Sequence, residues 1–282
     1  MSQAGAESTL STYTASDGDN LAVQDWPLPD GVRQRGVVLV VHGLGEHAGR
    51  HDALARVLNA WGFAVRSYDQ YGHGDSDGQR GGLPHANRLL DDLSDLVEST
   101  RMRHPGRPLV LLGHSMGGLV AASFVARTLN AVDALVLSSP LLALRLNPVQ
   151  KMLMSVVPRI APNLAVGNGL DPQYLSHDRK VVQSYLNDPR VHDRITGRLA
   201  RFLGEESALV RSRAPSWNVP TLLLYAGADR MVDPAGSDLF AAAAPQRLLT
   251  ARRFDGLYHE IFNESEAQPV YASLRQWLDA RF

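Results

Sequence analysis

The residues that could do chemistry centre on a glycine-rich stretch in the middle of the chain. Residues 113–117 read Gly-His-Ser-Met-Gly, after the apolar run PLVLLG and before the helix-like MGGLVAASFVARTL. A strand that turns sharply into a helix through this pattern projects a serine hydroxyl above the sheet edge, at the positive end of the helix. Glycine suits 113 and 117 because side chains there would clash with neighbouring backbone. Ser115 is therefore a candidate nucleophile, with a simple helix N-cap as the alternative.

A serine hydroxyl needs a histidine base within hydrogen-bond reach. Three histidines follow Ser115 in the sequence. His177 and His192 lie in a stretch without strand patterns, whereas His259 follows the last predicted strand, where a loop can lean over the sheet edge. We predict His259 as the base, and a surface-loop histidine is the alternative.

An acid must orient the imidazole of that base. In LLLYAGADRMVDP a predicted strand is followed by Asp229 and, four residues later, by Asp233. Asp229 lies closer to the strand end, hence nearer the serine, while Asp233 precedes Pro234 and suits an N-cap of the next helix. The sequence therefore predicts Asp229 as the acid, with Asp233 as the alternative.

Acyl transfer also needs N–H donors for the developing oxyanion, each worth on the order of 3 kcal/mol of barrier. The backbone N–H of Met116, directly after the serine, is one candidate. The glycine-flanked turn in VVHGLGEHAGR supplies the N–H of Leu44 as the other. A plain tight turn is the alternative for His42 and Gly43.

The elements that must position these residues follow an α/β pattern. Short β-branched runs alternate with stretches of helical period, which predicts a mostly parallel central sheet with helices on both faces. Residues 9–15 and 20–26 flank Ser-Asp-Gly-Asp and predict a leading antiparallel hairpin. The other strand candidates are residues 36–43, 63–69, 108–113, 133–139, 220–227 and 247–254. Two apolar stripes predict amphipathic helices: Leu54, Val57, Leu58 and Trp61, then Leu89, Leu93, Leu96 and Val97.

The alternation stops between about residues 141 and 216, where short helical patterns such as Ile195, Leu199, Phe202 and Leu203 replace it. We interpret 141–216 as an inserted helical cap, between a first part of the core at 1–140 and a second part at 217–282. Five apolar residues of the cap could line a tunnel for an acyl chain or only hold the cap on the core: Met152, Leu153, Met154, Val156 and Val157.

Composition excludes several other functions. The net charge of −1 offers no basic face for nucleic acid, and the absence of cysteine excludes a disulfide, a cysteine nucleophile and a thiolate metal site.

His47 and His51 lack the partners of a zinc site, so we predict no metal. The loop with Asp75 and Asp77 lacks the periodicity of a calcium loop and is expected to pack beside the site. The N terminus has no secretory-signal pattern and no stretch reaches the roughly 20 apolar residues of a membrane span, so we expect a cytoplasmic protein.

Five ordered motifs resemble the monoacylglycerol lipase and lysophospholipase branch of the α/β-hydrolases, also described as serine aminopeptidase-like: HGLGEHAGR, DQYGHGDSDG, GHSMGG, AGADRMVDP and YHEIFNE. The resemblance runs from about residue 10 to the C terminus, and LSHDRKVVQSYLNDPRVHDRIT is similar to the family's cap signature. It implies an α/β-hydrolase fold without a cofactor. By position, it implies Ser115 as nucleophile, Asp229 as acid, His259 as base, and Leu44 and Met116 as the oxyanion hole.

The resemblance further implies that Glu46 and Arg50 lie near the polar end of the substrate pocket, where they either touch the head group or brace the loop by a salt bridge. Phe262 stands three residues after His259, where the mammalian lipase has a second histidine near its glycerol pocket. Strict recognition of glycerol therefore does not follow from the resemblance.

These observations predict a serine hydrolase that cleaves a small-molecule acyl ester or lipid through an acyl-enzyme, with medium-chain or long-chain monoacylglycerol-like substrates. Alternatives within the same chemistry are a lysophospholipase, a peptidase and a short-chain carboxylesterase. From other classes, the alternatives are a catalytically inactive binding protein of this fold and a protein that binds lipid surfaces through its cap. Transient contact of the cap with lipid and the oligomeric state stay open.

Overall fold

An eight-stranded sheet forms the centre of the protein in the computed structural model, which describes residues 7–144 and 160–282. The strands are β1 (Thr9–Thr14), β2 (Asn20–Trp26), β3 (Gly36–Val41), β4 (Phe63–Tyr68), β5 (Leu109–His114), β6 (Ala134–Ser138), β7 (Ala165–Gly167), β8 (Arg194–Thr196), β9 (Thr221–Ala226) and β10 (Leu249–Phe254). The central sheet has the order β1-β2-β4-β3-β5-β6-β9-β10, while β7 and β8 pair separately.

The sheet is parallel except at its leading hairpin. Strand β2 pairs antiparallel with both β1 and β4, and all the other pairs of the central sheet are parallel. The central strands β3, β4, β5, β6 and β9 are buried at every residue, as expected for near-continuous apolar runs covered on both faces. The predicted α/β fold with a leading antiparallel hairpin is confirmed, and each strand candidate matches an observed strand to within two residues at either end.

Helices cover both faces of this sheet. The α-helices of the described residues are α1 (Asp52–Ala60), α2 (Arg88–Arg103), α3 (Met116–Ala126), α4 (Arg179–Asn187), α5 (Gly197–Arg213), α6 (Pro234–Ala243) and α7 (Gln268–Asp279), and the short 3-10 helices are Ala48–His51, Pro172–Tyr174, Ala214–Ser216 and Ile261–Asn263. One apolar core joins α2, α3, α5 and α6 to the sheet, and a second core joins α1 and α7 to the opposite face. Since β3 contributes Leu39 and Val41 to the first core but Val38 and Val40 to the second, both faces of the central strands are buried.

The parallel register brings the carboxyl ends of several strands to one edge. Val41 of β3 pairs with Gly113 of β5, which pairs with Leu137 of β6, and Leu224 of β9 pairs with Ser138. The loops that follow β3, β5 and β9 therefore leave the sheet at the same edge, with β6 between β5 and β9. This arrangement lets residues far apart in the sequence share one site.

The predicted cap segment holds both helices and a small sheet. Within its described part, α4 and α5 accompany the antiparallel pair of β7 and β8, which the sequence analysis did not predict. The helical pattern assigned to Ile195 was wrong, because Ile195 lies in β8. The Thr196 side chain caps α5 by accepting a hydrogen bond from Leu199 N (3.3 Å), so the helix begins only at Gly197.

Helix α5 packs on the core rather than standing apart from it, since Leu199, Phe202, Leu203 and Val210 belong to the same apolar core as α3. The predicted tunnel residues Met152, Leu153, Met154, Val156 and Val157 lie outside the described residues. The domain boundaries at 140 and 216 stay a prediction. In the two described ranges, no helix combines the length and the apolar character that crossing a membrane requires.

Candidate active site

Ser115 occupies a strained turn between β5 and α3. Its backbone has φ 55° and ψ −119°, a left-handed conformation that a serine adopts only where its surroundings hold it there. The Ser115 N–H donates to Ser138 O (3.0 Å), and Ser115 O accepts from Leu141 N (3.0 Å). The side chain makes no capping hydrogen bond to α3, which argues against the simple N-cap alternative.

Two glycines make this turn sterically feasible. A Cβ at Gly113 would lie 2.4 Å from Gly117 O, and a Cβ at Gly117 would lie 2.2 Å from Val41 O and 2.3 Å from His42 O. These backbone neighbours belong to the start of α3 and the end of β3, so neither can move independently. The close approach expected from the sequence at both positions is therefore present.

Asp229 and His259 form a buried hydrogen-bonded pair at the same edge. The His259 Nδ1 lies 2.7 Å from Asp229 Oδ2, and the side chains are 4% and 1% exposed. The other carboxylate oxygen, Oδ1, accepts from the N–H groups of Met231 (2.8 Å) and Val232 (3.0 Å). If Nδ1 carries the proton donated to Asp229, the neutral ring keeps Nε2 free to accept a proton.

The electrostatics of this pair keep His259 basic. Burial by itself would lower the pKa of His259, but the charge of Asp229 and its hydrogen bond outweigh burial, so the pKa is raised above the ordinary histidine value. The neighbouring ring of His114 lies 4.8 Å away between centroids, and burial, reinforced by His259, lowers its pKa well below that value. His114 is therefore a neutral neighbour at physiological pH.

The alternative acid and bases contact other groups. Asp233 caps α6 by accepting from Ala235 N (3.1 Å). The His177 Nδ1 lies 2.8 Å from Glu264 Oε1, and the His192 Nε2 lies 3.1 Å from Gly72 O. Of the three histidines that follow Ser115, His259 is the one that the fold joins to Asp229.

The turn after β3 approaches the serine closely. A Cβ at Gly43 would lie 3.2 Å from Ser115 Cβ. The N–H groups of Leu44 and Met116 have no hydrogen-bond acceptor within residues 7–144 and 160–282, whereas Gly43 N donates to Glu46 Oε1 (2.5 Å). The two predicted oxyanion donors therefore remain available for a ligand.

Glu46 and Arg50 connect this turn to the segment of His259 through Glu260, a residue that was not predicted from the sequence. Arg50 Nη1 lies 2.7 Å from Glu46 Oε2, and the guanidinium binds Glu260 in a bidentate manner, with Nη1–Oε1 2.6 Å and Nη2–Oε2 3.0 Å. These contacts favour the bracing interpretation over direct head-group contact. The position of Glu260 directly after His259 was the available signal, but an acid in a loop is too common to single out.

The charges of this cluster are buried. Burial opposes ionisation of Glu46, yet its neighbours His51 and Arg50 outweigh it and hold the pKa of Glu46 well below the ordinary range. Phe262, three residues after His259, lines a small cavity here together with Glu46, His51, His114, Glu260 and the apolar residues Leu54 and Leu112.

The two histidines considered as a zinc pair face different groups. His47 Nε2 lies 2.8 Å from Asp188 Oδ2 in the segment after α4, whereas His51 Nε2 lies 3.4 Å from Glu46 Oε1. Across the described ranges, no cluster of three or more histidine or carboxylate ligands has a geometry suited to a metal ion.

The glycine-rich loop after β4 supports the turn after β3. Asp69 Oδ1 accepts from Ala48 N (2.7 Å), and Gln70 Nε2 donates to His42 O (2.7 Å). Asp75 donates its N–H to Asp69 Oδ2 (2.8 Å), and Asp77 Oδ2 accepts from Asn20 N (2.8 Å). The loop therefore has the packing role expected from its sequence.

Comparisons with known proteins agree with this geometry. The family described as serine aminopeptidase, S33, matches residues 32–266. The monoacylglycerol lipase of Mycolicibacterium smegmatis is 34% identical over 247 residues, covering 86% of this chain and 88% of that protein. Phospholipase YtpA of Bacillus subtilis is 31% identical over 248 residues, covering 86% and 95%.

A solved structure, the monoacylglycerol lipase of Paleococcus ferrophilus, superposes with a TM-score of 0.80 at 31% identity, covering 98% of this chain and 99% of that one. The family match spans most of the chain and includes the strained serine and the buried aspartate–histidine pair. The protein therefore belongs to the serine aminopeptidase S33 family of α/β-hydrolases and is a serine hydrolase related to the monoglyceride lipases.

Proposed function

We propose that this protein hydrolyses carboxylic esters through an acyl-enzyme formed on Ser115. The observation that carries the proposal is the buried 2.7 Å hydrogen bond between Asp229 and His259, at the same sheet edge as the strained Ser115 turn. A serine held in such a turn and a histidine oriented by a carboxylate are the parts that nucleophilic acyl transfer needs.

In the proposed reaction, His259 Nε2 accepts the Ser115 proton as Oγ attacks the ester carbonyl carbon. The N–H groups of Leu44 and Met116 donate to the oxyanion, which lowers the barrier by on the order of 3 kcal/mol for each donor. As the intermediate collapses, the carbon–oxygen bond to the alcohol breaks and His259 returns the proton to the leaving oxygen. Water then attacks the acyl-enzyme by the same route, releasing the acid and restoring Ser115. The steps balance without a cofactor or a metal.

Medium-chain or long-chain monoacylglycerol-like esters are the substrates that we propose. A cleft of about 260 Å³ lies between the cap segment and Met231, two residues after Asp229. Its lining combines the apolar residues Leu170, Leu186 and Val191 with polar ones such as Asn168, Asp188 and Asp193. Each acyl CH₂ buried there would contribute about 0.8 kcal/mol. The monoacylglycerol lipases among the relatives support the same substrate class.

A lysophospholipase is the second candidate, because one relative at 31% identity is a phospholipase. The buried charges favour the neutral alcohol, since Arg50 already pairs with two carboxylates and offers no unpaired positive charge to a phosphate. Hydrolysis of monooctanoylglycerol compared with the matching lysophosphatidylcholine ranks the two candidates.

The chain-length preference tests the substrate proposal. With p-nitrophenyl esters from acetyl to palmitoyl, we expect kcat/KM to rise about three- to fourfold for each added CH₂ until the cleft is filled. The Ser115→Ala variant serves as the blank. Turnover limited to acetyl and butyryl esters would instead identify a short-chain esterase.

The pH profile tests the role of His259 as a base. Only the neutral ring accepts the Ser115 proton, and the pKa of His259 is raised, so kcat/KM should increase with pH along a limb centred above the ordinary histidine value of about 6.5. Initial rates over a pH series measure this limb. A limb centred below the ordinary value would contradict the assigned pairing with Asp229.

Labelling separates hydrolysis from the binding-protein alternatives. An alkyl fluorophosphonate reacts with an activated serine, so we expect Ser115 to be labelled and Asp229→Asn to slow the labelling. A catalytically inactive scaffold or a lipid-surface-binding protein would bind octanoate or vesicles without reacting with the probe.

A further inference from the structure

The Glu46–Arg50–Glu260 cluster connects the turn after β3 to the loop that carries His259. The proposed reaction depends on the relative position of these two loops. Glu46 Oε1 accepts from Gly43 N in the turn that presents the Leu44 N–H. At the other end, Glu260 adjoins His259, and its N–H donates to Leu175 O (2.8 Å) in the cap segment. The contacts therefore run from a proposed oxyanion donor to the residue beside the proposed base.

Three hydrogen bonds hold the Glu260 carboxylate. Oε1 accepts from Arg50 Nη1, and Oε2 accepts from Arg50 Nη2 and from Asn263 Nδ2 (2.8 Å). A glutamine in its place would turn an NH₂ group toward Arg50 or Asn263, both of which are donors there. The site is therefore built for a carboxylate at this position.

Burial of these three charges costs desolvation free energy. Glu46 and Glu260 are each 4% exposed, and the Arg50 guanidinium stacks over the Tyr185 ring at 4.8 Å. Apolar side chains of similar volume commonly stabilise a fold as well as a buried ion cluster does. The two carboxylates outnumber the one guanidinium, and His51, whose Nε2 lies 3.4 Å from Glu46 Oε1, adds a positive charge to this cluster only when it is protonated.

We propose that Glu260 is a positioning residue for the proposed ester hydrolysis, on which this inference rests. Through Arg50 and Glu46 it holds the Leu44 turn in place against the His259 segment, and its charge stabilises the imidazolium that forms when His259 accepts the serine proton. Glu260 itself contacts no reacting atom in this role.

The charged and titratable groups around His259 come from several elements. They are Asp229 after β9, His114 at the end of β5, Glu46, Arg50 and His51 after β3, and Glu260 in its own loop, while the cap segment contributes the Tyr174 carbonyl. The charges of Glu260 and Glu46 add to that of Asp229 in raising the pKa of His259. Loss of the Glu260 charge should therefore lower this pKa and move the acid limb of kcat/KM to lower pH.

Two substitutions separate charge from geometry. Glu260→Gln keeps the size but removes the charge and turns an NH₂ group toward a donor, so we expect kcat to fall about tenfold with KM within about twofold. The lost charge should move the acid limb down by about half a pH unit. Glu260→Asp keeps the charge but shortens the reach to Arg50, so kcat should fall while the limb stays in place. Octanoate released from monooctanoylglycerol, measured by chromatography at each pH, gives both quantities.

Glu266→Gln is the matched control, because Glu266 is an exposed acid in the same loop. It should change neither kcat nor the acid limb. A Glu260→Gln protein that folds, by thermal unfolding, and matches this control overturns the proposal. A fall in kcat without movement of the limb shows a merely structural role and also overturns it.

If Glu260→Gln does not fold, Glu260→Asp decides. Wild-type kcat in that variant overturns the proposed positioning of the Leu44 turn, and so does a lowered kcat that comes with a lowered midpoint of thermal unfolding. A lowered kcat with wild-type thermal unfolding supports it. Failure of the proposed ester hydrolysis itself would give a different result. Wild-type protein without Ser115-dependent turnover would refute the proposed hydrolysis itself, whereas active wild-type protein with an indifferent Glu260 refutes only this inference.

Discussion

Asp229→Asn is expected to lower kcat/KM for ester hydrolysis by about ten-thousandfold while leaving the fold intact. The asparagine amide fits the same space, but it can present its NH₂ to Nδ1 of His259, which favours the tautomer that carries the proton on Nε2. Such a ring cannot accept the Ser115 proton. Initial rates with an octanoyl ester measure the loss, and circular dichroism checks the fold.

Asp233→Asn is the matched control for this prediction. Asp233 caps α6 through Ala235 N, and asparagine is an equally good N-cap, so we expect kcat/KM within about threefold of wild type. A greater loss in Asp233→Asn than in Asp229→Asn would show that the acid has been assigned to the wrong residue.

Gly117→Ala is expected to destabilise the protein by about 3 kcal/mol or more. The new Cβ would lie 2.2 Å from Val41 O and 2.3 Å from His42 O, and both carbonyls belong to backbone at the end of a fully buried strand. Relief of the clash must separate α3 from β3, which overpacks or opens the core. Urea-induced unfolding measures the change in the free energy of unfolding.

The matched control is Gly256→Ala. A Cβ at Gly256 meets no atom within 4 Å, and the backbone there does not adopt a left-handed conformation, so the change in stability should stay within about 0.5 kcal/mol. If Gly117→Ala were as stable as Gly256→Ala, the close approach of the serine turn to β3 would be wrong.

The α/β alternation and the serine turn could be predicted from the sequence, because each depends on residues that are close together along the chain. The apolar runs of β3 and β5 mark buried strands, and Gly113 and Gly117 mark a turn without room for side chains, all within a few neighbouring residues. The position of Asp229 just after β9 and of His259 just after β10 followed from the parallel sheet, which gathers the carboxyl ends of its strands at one edge.

Other features were decided only by the tertiary structure. Ile195 fits a helical stripe by its spacing, yet pairing with β7 and the Thr196 cap place it in a strand, because tertiary contacts override a weak local pattern. Arg50 and Glu260 are separated by 210 positions, and their pairing depends on where two loops leave the sheet. The sequence by itself determined the order of the strands along the chain, and it predicted Ser115, Asp229 and His259 as the residues of the proposed reaction. Only the tertiary structure decided which charged side chains form ion pairs. The energy of an ion pair depends on the distance between the charges in space, and no periodic pattern along the sequence marks its two partners.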